Sequence, residues 1–478
     1  MDQFEFETEN KKKKKLRKEP LYIILSILCL IIGGGVGFYF GISKNNQDKD
    51  NLSIYDLISE NINTYFFDTL DSEYSFEERM LQGMVAGLGD RYSSYLTTDQ
   101  ADDLTNSING SFEGIGVSFL TLPLGGLVQE VFTGSPANQA GVLAGDLITH
   151  VQGTSIAGYD STRVKSMIIG EKDTEVSIQV LRDGKKKTFE MKRRSVESSV
   201  GYEIREKNKQ KIGYLRITTF GDTTTTLVGE ALENFESQGI QNICIDLRGN
   251  GGGYITAVNG LLDYFIPEGQ LMFKIQYKDN KNKEYLASDV KKYSFEQGYI
   301  LVDGDTASAS EVMATSLNEL LNYKVIGEKT YGKGVVQTQI PLTNSSTLKL
   351  TTSRWLTPKG NWINEKGIEP DYQVKNISIT DFGIFEALKT TYHYDQVSNE
   401  IANMQKILKL LGYPIDRTDG YFSQKTQDAL KKFEKKYGLT VNGIYDKNDL
   451  LTLTSALSYH IHHKTPDYQY QKVVNLLK

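Results

Sequence analysis

The residues best suited to do chemistry stand in three short segments. In Thr306-Ala-Ser-Ala-Ser-Glu311, the apolar run Tyr299–Val302 leads into a turn of small residues and then a helix-like stretch, Ser310–Leu321. A serine at such a turn is pushed out of the sheet beside a helix N-terminus, where free N–H groups and the helix dipole favour negative charge. A serine alkoxide and an oxyanion both need that environment, although a plain serine N-cap has the same outward pattern. Serine also needs a base. Of the five histidines, His150 falls on a strand-like segment of another region, and His393, His460, His462 and His463 fall beyond the part of the chain that holds the serine. A lysine is the alternative. It must be neutral, and at an unperturbed pKa of about 10.4 only a few molecules in about ten thousand are neutral at pH 7; burial has to depress that value. Lys333, in Thr330-Tyr-Gly-Lys-Gly-Val-Val-Gln337, stands between two glycines that allow close backbone approach. The third segment is Asn242-Ile-Cys-Ile-Asp-Leu-Arg-Gly-Asn-Gly-Gly-Gly253, an apolar strand that ends in a Gly-rich loop. The N–H groups of such a loop can cradle an anion, a phosphate or a tetrahedral oxyanion. It is not a P-loop, because no Gly-Lys-Ser/Thr follows.

These segments need a frame. From Val196 to about Ala387 strands and helices alternate, which predicts an α/β core with some parallel pairing. From Ser111 to about Arg194 short strands and Gly turns predict a small β-rich domain. Leu52 to about Asn109 reads as helical, with Phe76, Met80, Met84 and Leu88 on one face. Three short helices are predicted between Val397 and Leu457, and Ser458–Lys478 shows no period.

The N-terminus reads as a membrane anchor. Leu21–Ile42 carries no charge, enough residues to cross roughly 30 Å of hydrocarbon as a helix. The basic run Lys11–Lys18 precedes it, and cytoplasmic flanks favour Lys and Arg. The expectation is an N-terminus inside and everything after Ile42 outside. A cleaved signal peptide is the rival reading, against which stands the lack of an Ala-x-Ala site. The net charge of -6 argues against general nucleic-acid affinity. Cys29 and Cys244 fall in a membrane-like run and a buried strand, so no disulfide is expected.

Together the segments resemble the C-terminal processing peptidases, or tail-specific proteases, over roughly residues 53–390. The motifs occur in that family's order: Gly89-Asp-Arg-Tyr-Ser-Ser-Tyr-Leu96 (with Arg91 where Pro is usual), IGYLRITTF from Ile212, DLRGNGGG, TASASE, GEKTYGKGVVQ and TPKGNWINEKGIEPD to Asp371. The resemblance implies that Ser308 is the nucleophile, Ser310 structural, Lys333 the general base and Gln337 the residue that orients it. The oxyanion hole would be the N–H of Ala309 with that of Gly253 or Gly252. Ser111–Ser118 followed by SPANQAGVLAGDLITHVQG resembles a PDZ domain, which implies that Gly114, Ile115, Gly116 and Val117 receive a substrate's apolar C-terminus as an added strand. Members often carry Arg just before the Gly matching Gly170. Here that residue is Ile169, so either another basic residue such as Arg163 substitutes or gating by the PDZ domain is weaker.

Met404–Tyr413, Asp419–Leu439 and Val441–Asp446 resemble a helical peptidoglycan-binding domain with Leu408, Leu411, Phe422, Ala429, Leu430, Phe433 and Leu439 as core; Glu434 replaces the usual Gln. A helical bundle that docks the protease is the neutral alternative. His460, His462 and His463 lack the context of a zinc protease and read as part of a solvated tail.

The expected architecture is multidomain: a basic cytoplasmic segment (1–20), a transmembrane helix (21–42), a linker (43–52), a helical region (53–108), a PDZ domain (109–195), an α/β Ser-Lys peptidase core (196–390), an all-α domain (395–457) and a tail (458–478). The expected function is a membrane-anchored, extracytoplasmic serine endopeptidase without metal or other cofactor. Its expected partners are protein tails and cell-wall peptidoglycan, and the resemblance suggests a homodimer. Two other classes fit the sequence less well. A scaffold with a vestigial site conflicts with the intact Ser308, Lys333 and Gln337. A penicillin-binding transpeptidase needs Ser-x-x-Lys, but Glu311 stands at that spacing.

Overall fold

The structure, a computed structural model, describes residues 53–66, 74–207, 210–383 and 387–477. The apolar run Leu21–Ile42 lies outside the described residues; among the described residues no helix is long and apolar enough to cross a membrane. The chain divides into two compact units, Met1–Phe76 and Glu77–Lys478. The first contributes α1 (Ile54–Tyr65), opened by a reciprocal cap between Ser53 and Asp56.

The second unit begins within α2 (Phe76–Ala86), which β1 (Ser94–Leu96) and α3 (Thr98–Asn109) follow. The expected apolar face does not hold as drawn. Met84 and Leu88 are 62% and 61% exposed, and Val85 is the buried residue of α2. The helix ends at Ala86, before Leu88 could join its stripe. The strand β1 was also not expected in this region; it pairs with a distant strand of the core, a contact that no local periodicity records.

The β-rich domain holds β2 (Ser111–Gly114), β3 (Val117–Leu122), β4 (Gly125–Val131), α4 (Pro136–Ala140), β5 (Leu147–Val151), β6 (Thr154–Ser155), α5 (Ser161–Ile168), β7 (Glu175–Arg182), β8 (Lys185–Lys192) and β9 (Arg194–Glu197). Strands β3-β4-β5-β7-β8 form its sheet in that order, with β6 on β5. The ribbon β2–β9 closes the domain where the chain enters and leaves.

The core holds β10 (Val200–Lys207), β11 (Gln210–Ile217), α6 (Thr224–Ser237), β12 (Asn242–Asp246), α7 (Ile255–Asp263), β13 (Leu271–Tyr277), β14 (Asn282–Leu286), β15 (Gln297–Val302), α8 (Ala309–Leu321), β16 (Lys324–Gly327), β17 (Val335–Pro341), β18 (Thr347–Leu356) and β19 (Tyr372–Gln373). One sheet runs β10-β11-β12-β15-β16-β19. All pairs from β11 to β19 are parallel, and only β10 is antiparallel. Its central strands β12 and β15 are buried almost throughout and mostly apolar, because helices and further chain cover both faces. A second sheet, β1-β18-β13-β14 with β17 on β18, carries the base segment.

The chain ends in α9 (Asn399–Leu410), α10 (Gln424–Tyr437), α11 (Lys447–His463) and α12 (Tyr468–Leu476). The expected solvated tail is corrected here. Helix α11 runs through the 457/458 boundary, and α12 packs Val473, with Tyr470 beside it, on β11, β12 and β15. His462 hydrogen-bonds the Ser458 carbonyl at 2.9 Å, and His463 reaches the Ala144 carbonyl at 2.8 Å. The helical domain shares one core with the PDZ sheet, in which Leu122, Leu127, Leu147 and Leu181 meet Phe433, Leu453 and Leu457. Glu434 is buried and accepts the N–H groups of Asn442 and Gly443. Its carboxylate therefore closes the following loop.

Candidate active site

Strand β15 delivers the serine turn to the C-terminal edge of the parallel sheet, where open α/β sheets place their sites. Thr306 anchors the turn with its hydroxyl on the Leu247 carbonyl at 3.0 Å. The Asn250 carbonyl then accepts twice, from the Ala307 N–H at 3.0 Å and the Ser310 hydroxyl at 2.9 Å. Ser310 thus ties the start of α8 to the Gly-rich loop. Ser308 sits at φ 57°, ψ -119°, a conformation that a non-glycine residue adopts only when its surroundings enforce it.

The enforcing group is Glu311, which is wholly buried. Its carboxylate accepts the N–H of Ser308 (2.9 Å), the N–H of Lys333 (2.8 Å), the N–H of Gly332 (2.8 Å) and the Thr330 hydroxyl (2.5 Å). Burial raises the pKa of this carboxyl, and those four donors oppose the rise. One carboxylate therefore clamps the backbone of the serine turn to that of the lysine turn. Gly332 has φ +85°, and a Cβ there would stand 2.7 Å from the Gly367 nitrogen, so only glycine fits.

The Lys333 side chain is half-buried, and its Nζ lies 5.2 Å from the centroid of the Tyr92 ring. Burial, and after it the ammonium of Lys349, push the Lys333 pKa below the ordinary lysine value; Asp90 and Glu311 pull the other way. The Gly89–Leu96 motif serves this placement. Asp90 accepts the Ser93 hydroxyl at 2.5 Å and the Tyr92 N–H at 3.2 Å, and Ser93 accepts the Thr351 N–H at 3.0 Å. Tyr92 is thereby fixed against β18. Arg91, in the place of proline, lies over the rings of Tyr92 and Tyr331.

Ser308, Lys333, Gln337, Gly252 and Gly253 line a single cavity of about 500 Å³. Gln337 donates to the Thr351 hydroxyl at 3.3 Å. Gly252 has φ +109°, and a Cβ on it would meet the Ser308 Cβ at 2.8 Å. Its N–H is already committed to Asn250 Oδ1 at 2.8 Å. Of the two glycines read from the sequence, Gly253 is the one with an N–H that no acceptor takes among the described residues. Ala309 is buried at the first helical position of α8, where an N–H has no intrahelical acceptor.

A charged cluster stiffens the same loop from below. Burial works to raise the Asp246 pKa, but the guanidiniums of Arg216 and Arg248 outweigh it and hold the carboxyl below the usual range. Arg248 also reaches Asp467 and Gln469 at the start of α12, and Arg216 reaches Glu130 of the PDZ sheet at 3.4 Å.

A second cavity of about 750 Å³ lies between β3 and α5. Ile115, Gly116 and Val117 line it with Phe132, Lys165 and Ile168; Gly114, paired with Arg194 in the β2–β9 ribbon, is not among the lining residues. Arg163 is not the basic residue of this cavity. It is exposed, with its guanidinium 5.9 Å from the Tyr159 ring, while Lys165 occupies the lining beside Ile169. Two residues on from Arg163, the side chain points to a different side of α5. Among the described residues no cluster of His, Cys, Asp or Glu is suited to a metal ion.

Sequence reasoning did not single out Glu311, Asn250, Tyr92, Asp90 or Lys349. Glu311 had a visible signal, the Ser-x-x-Glu spacing of a helix capping box. Lys349 had none.

Comparison with known proteins agrees with this architecture. A sequence model of peptidase family S41 matches residues 211–374, a PDZ domain model residues 114–192, and a peptidoglycan binding domain model residues 397–450. The carboxy-terminal processing protease CtpB of Bacillus subtilis is 31% identical over 93% of this chain and 96% of its own length. CtpA of the same organism is 31% identical over 95% and 96%. The solved structure of a photosystem II D1 C-terminal processing protease aligns at 27% identity and a TM-score of 0.44, over 66% of this chain and 85% of that one. The chain is accordingly a member of peptidase family S41, a serine protease of the carboxy-terminal processing group that also carries a PDZ domain and a peptidoglycan-binding-type domain.

Proposed function

We propose that this protein is a Ser-Lys endopeptidase that cleaves proteins presented by their C-termini. The observation that carries the reading is the Glu311 clamp, which holds the Ser308 and Lys333 backbones on one carboxylate while both side chains line one cavity. Neutral Lys333 takes the Ser308 proton as Oγ attacks the scissile carbonyl. The N–H groups of Ala309 and Gly253 receive the oxyanion, a contribution of roughly 3 kcal/mol per donor. The lysine then returns the proton to the leaving amine, and water releases the acyl group. Gln337 orients Lys333. The cavity between β3 and α5 holds the substrate tail, with Ile115, Gly116 and Val117 supplying the edge and Lys165 the countercharge for its carboxylate.

The apolar run Leu21–Ile42 and the basic run before it support anchoring in the cytoplasmic membrane with catalysis outside. The helical domain would add attachment to peptidoglycan. A tag placed after Lys478 and digested on intact cells tests that topology; protection of the tag would reject it.

For the chemistry, an unstructured protein with an apolar C-terminus is incubated with the wild type, Ser308→Ala and Lys333→Ala. Cleavage lost in both variants is expected. Because a depressed lysine must be neutral, activity should rise with pH through the Lys333 pKa and level off above it. Cleavage surviving in Ser308→Ala would sink the assignment.

A further inference from the structure

We propose that Lys349 makes the catalytic cavity an anion-reading subsite, selecting substrates with a carboxylate close to the scissile bond. The inference rests on the Ser-Lys reading and adds to it a class of substrate. Lys349 lines the same cavity as Ser308 and Lys333, and no carboxylate stands among the described residues that line it. Its ammonium makes no hydrogen bond or ion pair among the described residues. A half-buried cation facing a groove without a counter-charge gains by pairing with an anionic group brought there.

The register fixes where that ligand would be. Gln337 lies opposite Thr351 and Gln339 opposite Lys349, consecutive pairs on one face of the β17–β18 ribbon. Two residues of strand span about 7 Å. For a substrate extended along this ribbon, Lys349 would meet a group about two residues from the one beside Gln337. A glutamate or aspartate side chain and a free chain terminus present the same chemistry there.

The test uses peptides with one common apolar C-terminus, in which Glu or Gln is scanned through the four positions on each side of the cut. A second set carries a free or an amidated terminus. Wild type should prefer Glu over Gln at one position by about tenfold or more in kcat/KM, the scale of a hydrogen bond to a charged group. Lys349→Gln should erase that preference, and Lys349→Glu should turn it toward Lys. Binding to Ser308→Ala protein reads the same preference without turnover, so failed cleavage and a failed subsite are told apart. A terminal carboxylate effect that survives Lys349→Gln belongs to the PDZ groove, whereas one lost with it identifies the terminus as the ligand. Equal handling of Glu and Gln at every position, in cleavage and in binding, overturns the proposal. So does a Lys349→Gln variant whose pH profile moves while its preference stays, since Lys349 would then act only on Lys333, among Asp90, Glu311 and Tyr92.

Discussion

The two cavities are built by opposite means. The catalytic one is held from behind by buried polar groups, Glu311 with four donors and Asn250 with both its carbonyl and its side chain engaged. The PDZ groove is a strand edge and a helix face over an apolar core that includes Ile115, Val117 and Ile168. Buried polar clamps rigidify a site but leave costly orphans when one member is lost. A strand-and-helix groove is more tolerant, because its affinity is spread over backbone and apolar surface. The two cavities nevertheless share a wall, since Ser107 of α3 with Thr218 and Thr219 lines both.

The sharpest break in this contrast is Glu311→Ala. It leaves the N–H groups of Ser308, Gly332 and Lys333 buried without an acceptor, at about 1–3 kcal/mol each. Displacement of either turn by about 1 Å costs about a hundredfold in rate. Expected is a loss of at least that in kcat, with C-terminal peptide affinity unchanged by fluorescence anisotropy; weakened peptide binding in a folded variant would mean the two cavities are not independently built. A smaller effect is expected from the other side. Lys165→Met removes the ammonium that lines the groove and should weaken binding of a free-acid tail by about three- to tenfold. An amidated tail should be bound equally by both proteins, and cleavage of a short peptide that does not reach the groove should not change.

How much of this was legible in the sequence follows the same division. The strands β3, β4, β5, β7 and β8 and the elements β11, α6, β12, β15, α8 and β16 could be read locally, because apolar period and Gly or Pro turns are local signals. The second sheet could not. The strand β1 exists only through β18, some 250 residues later in the chain, and Tyr92 reaches Lys333 through that pairing. Ser308, Lys333, Gln337 and the Gly-rich loop were visible as motifs, but the carboxylate that joins them was visible only as a helix cap. The Ser458–Lys478 segment misled for a related reason. Helix α11 enters it from the preceding domain, and the nine-residue α12 is held by Arg248–Asp467 and by packing on β11 and β12 rather than by a strong stripe of its own.

The capping position of Glu311 has a counterpart in the helical domain, and the pair isolates what the four donors do. Asp449 also stands third in its helix and is buried, but the N–H of Asp446 is the one donor to its carboxylate among the described hydrogen bonds. Burial therefore dominates and raises its pKa from 3.8 to about 7, with the charges of Asp446 and Glu434 adding to the rise. In the unfolded chain the proton leaves near the ordinary value, so between about pH 4 and 7 the folded state binds more protons than the unfolded state. Stability contributed by this group is present at low pH and lost as pH rises through that window. Asp449→Asn keeps an oxygen for the Asp446 N–H and removes the charge. It should raise the melting temperature at pH 8, leave it nearly unchanged at pH 4, and not touch kcat. Equal melting curves at pH 8 would show that the Asp446 N–H alone sustains a buried carboxylate, and that the four donors at Glu311 exceed what keeping its charge requires.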